Sequence, residues 1–341
     1  MTRLLTALLA VLLLAGCSRT VSPPLPSWVD EEVTFEADGL TLHGTYRHPP
    51  GNGKGPAALL ISESGGTDRN GDNNVAGPIG NMRQLAQFLS DHGVATLRYD
   101  KVGTGKTGLG PHADRPTDVG TAVYTAGAKA AVRFLAAQPG TDRISVYALG
   151  EGAMHAMVLA DDTSSGAPKI HSLGLLQPLT ARYLDLMTSR VNADMAAAVR
   201  SGAKTQQQAD QVVAAWNAAV AQVRTSGTVP DKLPEGLSAI VNQRNVKAVK
   251  EADAIDPLDL AARIPDGTPV LLTCSDSDAQ SPCASIAPLA DALAHTALDL
   301  VRLQGVNHVL RDDASDSIAN YAKQDPLSSQ LTDALVAFMG K

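Results

Sequence analysis

The chain has 341 residues, 44% of them hydrophobic, with 28 Lys and Arg against 35 Asp and Glu and a formal net charge of −7. That is enough apolar chain to bury the core of one large domain, or of one domain with an insertion. An acidic chain with no basic run is a poor partner for nucleic acid.

At the N-terminus Arg3 is followed by an apolar run from Leu4 to Leu14 and then by Ala15, Gly16 and Cys17. The run is too short to span a bilayer of roughly 30 Å as a helix. Small residues before a cysteine suit a bacterial lipoprotein signal, cleaved ahead of Cys17, whose thiol then takes up lipid; a plain secretory signal is the alternative. Residues 1–16 thus read as signal peptide. Residues 17–29 read as a tether, because Pro23, Pro24 and Pro26 block a helix or central strand. The expected location is the extracytoplasmic face of the cell membrane, held by the lipid. Cys274 and Cys283 would then sit in an oxidising compartment, where a disulfide is expected over two free thiols.

Val33 to Ala37, the Asp38-Gly39 turn and the alternation of Leu40, Leu42 and Tyr46 predict an antiparallel hairpin. Apolar strands follow at Ala57 to Ser62, Ala95 to Tyr99, Ile144 to Leu149, Ser172 to Leu176, Pro269 to Thr273 and Leu298 to Leu303. Helical stretches lie between most of them, at Met82 to Leu89, Ala122 to Ala137 and Ala284 to Ala294. Continuously apolar strands alternating with helices predict an α/β architecture, a mostly parallel central sheet covered on both faces. Its active site belongs at the carboxyl ends of the strands.

From 179 to 262 the rhythm changes to helices without strands. Leu184, Met187, Val191, Met195 and Val199 recur at helical spacing, as do Val213, Trp216, Val220 and Val223. Such stripes are ordinarily internal packing, and the segment reads as an inserted helical cap able to roof a pocket, with Gly227 to Gly236 as its loop. The core is expected to occupy 30–178 and 263–341.

Ile144 to Met154 reads as a strand turning sharply into a helix, the setting of a nucleophile elbow of the form small-x-Ser-x-Gly. Ala148 and Gly152 supply the small flanks, but Gly150 stands where the serine should be. Glycine has no side-chain oxygen and cannot form an acyl-enzyme.

Together these landmarks resemble the α/β-hydrolase superfamily, and more closely its bacterial esterase and serine-aminopeptidase-like branch, over nearly the whole chain after the signal. The segment Ile61-Ser-Glu-Ser-Gly-Gly-Thr-Asp-Arg-Asn-Gly-Asp-Asn is similar to the branch's loop after the third strand, and Arg98-Tyr-Asp-Lys-Val-Gly-Thr-Gly-Lys-Thr to the end of its next strand. The resemblance implies an α/β-hydrolase fold with the inserted cap and a carboxylic ester hydrolase ancestry. It places Asp278 at the triad acid, with Asp276 as competitor, and His308 at the triad base. The base needs that carboxylate to fix its tautomer and favour the imidazolium. Ser64 and the Glu151 N–H would form the oxyanion hole, with Ser62 and Glu63 elsewhere in the pocket. The Ser62 or Ser64 hydroxyl, or a water activated by His308, are the candidate replacements for the nucleophile. Restoring a serine at 150 is expected to return some hydrolysis.

Two further motifs fail. Gly103-Thr-Gly-Lys-Thr lacks the first glycine of a phosphate loop, Asp100 standing there. Asp68, Asn70 and Asp72 open like a calcium loop, but Asn73 and Ile79 occupy positions that need glycine and glutamate. No metal or cofactor is expected. The sequence therefore points to a catalytically defective, esterase-like envelope lipoprotein binding a small ester-like or lipid-like molecule or an envelope protein; an active hydrolase of esters or small amides with an unconventional nucleophile is the alternative.

Overall fold

The computed structural model describes residues 28–51, 53–63, 65–234 and 236–341. The signal peptide, Cys17, the tether through Ser27 and the oxyanion candidate Ser64 lie outside the described residues. Among the described residues no helix is long and apolar enough to cross a membrane.

Eight strands form one sheet: β1 (Val29–Ala37), β2 (Leu40–His48), β3 (Gly55–Ile61), β4 (Ala95–Tyr99), β5 (Thr141–Leu149), β6 (Ile170–Leu176), β7 (Pro269–Ser275) and β8 (Ala297–Leu303). Their order is β1-β2-β4-β3-β5-β6-β7-β8. The β1–β2 and β2–β4 pairs are antiparallel and the rest parallel. At the hairpin turn Asp38 and Gly39 both have positive φ, 49° and 82°, which is why Asp-Gly stands there.

Both faces of the central strands are buried, and alternate residues serve different layers. Ala57, Leu59 and Ile61 of β3 pack with α2 (Thr121–Ala136) and α3 (Gly152–Ala160), while Ala58 and Leu60 pack beneath α1 (Asn81–Asp91) and α11 (Ser329–Met339). Leu59 and Leu85 are fully buried, and truncating such a leucine to alanine costs about 2–5 kcal/mol. The helix expected over Ala284 to Ala294 is shorter, α9 (Ala287–Ala292), after a separate turn at Cys283–Ser285. Pro288 explains the late start, since a proline is tolerated only in a helix's first turn. The C-terminal α11 escaped the sequence reading.

The inserted segment is helical: α4 (Tyr183–Arg200), α5 (Gln206–Ser226), α6 (Leu237–Ile240), α7 (Val246–Asp253) and α8 (Pro257–Ala261). Leu184, Val191, Trp216, Val220 and Val223 bury one another in a cluster separate from those of the sheet, with Val212 rather than Val213 reaching it. A capping box between Thr205 and Gln208 starts α5. Buried Asp253 ties the helices together, accepting from Arg224 Nε at 2.8 Å and from the Leu184 N–H at 2.9 Å. The segment meets the sheet domain through Thr121 Oγ1, which donates to the Ala248 carbonyl at 3.3 Å, and through the Ala122 N–H, which donates to Glu251 at 3.2 Å.

Candidate active site

Gly150 lies between β5 and α3 with φ +56°, a conformation that strains a serine by about 1–3 kcal/mol and glycine hardly at all. Its neighbour Gly152 is equally constrained by space: a Cβ there would come within 2.9 Å of the Ile61 and Ser62 carbonyl oxygens. The elbow is therefore as tight as its sequence implies, and it presents no hydroxyl.

Another side chain fills the place. A Cβ built on Gly150 would meet Glu63 Oε2 at 1.5 Å. Glu63 comes from the loop after β3, and its Oε2 lies 2.7 Å from His308 Nε2. Its Oε1 accepts a long hydrogen bond, 3.5 Å, from the Glu151 N–H, the amide expected to serve an oxyanion. On the other side of the ring, His308 Nδ1 lies 2.8 Å from Asp278 Oδ2. Both ring nitrogens thus face carboxylate oxygens, and an imidazole donates from both only as the imidazolium. Burial alone would pull the His308 pKa down, but the Asp278 and Glu63 carboxylates outweigh it and hold the ring's pKa well above its usual value.

The Asp278 loop follows β7, and His308 follows β8. Asp278 Oδ1 accepts from the Gln280 N–H at 2.7 Å, which fixes the carboxylate. The competing Asp276 faces solvent and braces the loop instead, accepting from the Gly305 N–H at 2.8 Å. Ser62 does not approach His308: its hydroxyl donates to the Thr67 carbonyl at 3.1 Å. The Cys274–Cys283 disulfide is present and closes the loop that contains Asp278.

Lys101 was not singled out from the sequence, although it belongs to the quoted Arg98-Tyr-Asp-Lys segment. Its ammonium is buried and donates to the Ser62 and Glu63 carbonyls, pinning the backbone from which the Glu63 side chain extends. Burial lowers its pKa to about 8 against the pull of Glu151, Glu63 and Asp68. Burial raises Glu151 to about 7, with Lys101 opposing and Glu63 adding to the rise. The two family-like segments also interlock directly. Asp100 accepts from the Arg69 N–H at 3.0 Å and from its guanidinium at 2.9 Å. The Asp68 carboxylate holds the Asn70 and Asp72 amides at 2.7 and 3.0 Å, so its geometry is that of a turn.

A cavity of about 340 Å³ opens against Glu63 and His308. Asn73, Asn81 and Gln280 supply amides, and Ile79, Leu149 and Val309 supply apolar wall. Val75 and Ile318 also line it, and they are 83% and 55% exposed, so they stand at its mouth. Among the described residues none from 179–262 lines this cavity, although Tyr183 of α4 lies close enough to feel the Glu151 and Glu63 charges. The loop 66–81 and the short α10 (Ile318–Tyr321) form the walls instead, because they rise from the strand ends that carry Glu63 and His308.

No protein-family model matches the chain, and no curated protein matches it. Its structure is similar to an esterase from Pyrococcus furiosus, with a TM-score of 0.56 at 14% identity over 92% of this chain and 91% of that one. It is equally similar to the ferulic acid-bound Est1E of Butyrivibrio proteoclasticus, with a TM-score of 0.56 at 17% identity over 91% of this chain and all of the other. A thermostable carboxyl esterase from Bacillus coagulans, in complex with glycerol, gives 0.56 at 13% over 91% and 97%. The chain has the α/β-hydrolase fold. Within that α/β-hydrolase fold, Gly150, Glu151, Asp278 and His308 converge at the strand ends, with Glu63 between the elbow and the histidine.

Proposed function

We propose that this chain is an esterase-like lipoprotein of the cell envelope in which serine-ester chemistry is lost, and which binds a small ester-like or lipid-like molecule in the cavity beside Glu63 and His308. The observation that carries this reading is the Glu63 carboxylate lying over Gly150 and pairing with His308. A serine hydrolase needs a hydroxyl to attack and a neutral imidazole to take its proton. This site offers no hydroxyl at the elbow, and two carboxylates hold the histidine's pKa above its usual value.

Ester cleavage by Glu63 itself is the second reading, favoured by the carboxylate's position. Leaving-group chemistry weighs against it. A carboxylate that attacks an ester carbonyl makes a tetrahedral adduct able to expel either itself or an alkoxide. A carboxylate is a far weaker base than an alkoxide and so the better leaving group, and the adduct reverts.

The test is hydrolysis of p-nitrophenyl acetate and butyrate together with labelling by a serine-directed phosphonate. The expected result is no labelling and a rate equal to that of His308→Ala; a wild-type rate clearly above that control would overturn the reading. Binding is tested by a thermal shift with monooctanoylglycerol, expected to raise Tm in wild type and less so in Val75→Asp. The anchor is tested by Cys17→Ala, which should leave the precursor uncleaved or move the protein out of the membrane fraction.

A further inference from the structure

A second polar site lies apart from Glu63, at the β1 end of the sheet. The groove there, of about 450 Å³, is walled by β1, β2, β4, α1 and the loops that follow β3 and β4. We propose that this groove binds a phosphoryl group through Arg98, Arg83 and Asn70. Among the described residues it shares no wall with the cavity beside His308, so this goes beyond the ester-like reading, and its test leaves that reading unchanged.

Four acids and four bases line the groove, so its formal charge is zero and pairing decides what is free. Arg69 lies 2.8 Å from Glu32 and 2.9 Å from Asp100, and Lys106 Nζ lies 2.7 Å from Glu32. Asp100 also accepts from the Arg69 and Lys106 amides, and Asp68 from those of Asn70 and Asp72. Asp30 lies 3.3 Å from Arg47. The acids are thus engaged, and two guanidiniums are left over. Arg98 and Arg83 form no ion pair among the described residues: Arg98 Nη1 donates to Asn70 Oδ1, and Arg83 Nη2 to Gln324 Oε1 at 3.0 Å. Donors outnumber free acceptors, which suits an anion.

Arg98 is only 6% exposed, and its Nε has no hydrogen-bond partner. A buried cation without a counter-charge is costly. Burial pulls its pKa down against the pull of Asp30, and Arg69, Arg83 and Arg47 push the same way as burial. An anion beside it removes that penalty. Asn70 adds a third donor, since its Oδ1 is taken by Arg98 and its Nδ2 has no acceptor among the described residues.

These donors come from a strand, a helix and a loop, and so from three directions. A carboxylate offers two oxygens in one plane, whereas the oxygens of a phosphoryl group spread out of any plane and can meet all three. Gly105 and Lys106, from the segment that falls short of a phosphate loop, also line the groove. The Lys106 amide already donates to Asp100 at 2.8 Å, so the arginine pair is the cradle and that loop is not. Asn70 lies in the loop 66–81, and a ligand held against it braces that loop from behind.

The experiment is calorimetric titration of the full chain with inorganic phosphate, ionic strength being held constant with sodium chloride, and the same titration with acetate. Wild type should bind phosphate saturably at one site, at least tenfold more tightly than acetate, and amide exchange over 68–72 should slow. Arg98→Met and Arg83→Gln should each weaken phosphate at least tenfold, with melting curves in chloride reporting that the variants fold. Arg83 is only partly buried, so Arg83→Gln decides the matter if Arg98→Met does not fold. Glycerol 3-phosphate and phosphatidylglycerol vesicles then separate a soluble phosphate ester from a lipid headgroup, and binding of inorganic phosphate alone makes free phosphate the ligand. No saturable phosphate binding by folded wild type overturns the proposal. So does equal affinity for acetate, or an affinity for phosphate unchanged in Arg83→Gln.

Discussion

The Glu63 carboxylate occupies the space that the first side-chain atom of residue 150 would need, with Oε2 only 1.5 Å from a Cβ built on Gly150. The two residues therefore form a matched pair. Glycine at the elbow admits the glutamate, and the glutamate excludes anything larger than glycine unless its own side chain swings away.

This changes the outcome expected for a restored serine. Gly150→Ser alone must displace Glu63 and break its pairing with His308, so it should hydrolyse p-nitrophenyl acetate no faster than wild type. The double variant Gly150→Ser with Glu63→Gly should exceed wild type at least tenfold, and lose that gain when His308 becomes Ala. Strain at positive φ of about 1–3 kcal/mol leaves the fold intact. Equal activity in the single and double variants would show that Glu63 is no obstacle.

The protonation of His308 is open to direct measurement. Nitrogen chemical shifts of the ring should show both nitrogens protonated at pH 7.5. Glu63→Gln removes one of the two carboxylates responsible and should lower the histidine pKa. Because the folded pKa is raised, the stabilisation from this charged cluster is full below the unfolded value of about 6.5 and declines as pH rises through the folded one. A wild-type ring that titrates near 6.5 contradicts the reading.

Glu151 should leave a signature in stability. Its folded pKa of about 7 exceeds the usual glutamate value of about 4.5. Between those values the folded protein keeps a proton that the unfolded chain has lost, so the contribution is full below about 4.5 and is lost as pH rises through 7. Lys101, lowered to about 8, acts with the opposite sign only above that pH. Glu151→Gln should therefore raise Tm relative to wild type by about 2–5 °C more at pH 7.5 than at pH 4.5. Parallel melting curves at the two pH values would contradict it.

The disulfide between Cys274 and Cys283 closes a short loop and should contribute up to about 3 kcal/mol in the chain-entropy picture. Cys274→Ala with Cys283→Ser should lower stability by that order and speed amide exchange from 276 to 282. Unchanged exchange would show that the bridge does not hold the Asp278 loop.

How much of this was readable beforehand follows from what one-dimensional pattern encodes. The parallel sheet could be read because its strands are apolar on both faces, and the Gly150 vacancy because elbow spacing is rigid. Asp278 and His308 could be placed by their positions after β7 and β8. The role of Glu63 could not, since a residue 87 positions before the elbow reaches it only through the pairing of β3 with β5. Lys101 stayed unnoticed because its ligands are backbone carbonyls, which have no sequence signature. The cap was readable as helices, but periodicity says nothing about which end of the sheet they overhang, and the cavity walls came from the loop 66–81 instead.

The helical insertion has its own apolar cluster around Trp216, and among the described residues it contributes no wall to the cavity that Glu63 and His308 face. Substitutions on its outer surface can thus accumulate without altering the chemistry below, which frees that surface to diverge under selection from other molecules in the envelope. In laboratory terms the outward-facing positions of helices 183–253 can carry fluorophores while the site under the loop 66–81 serves as an internal reference.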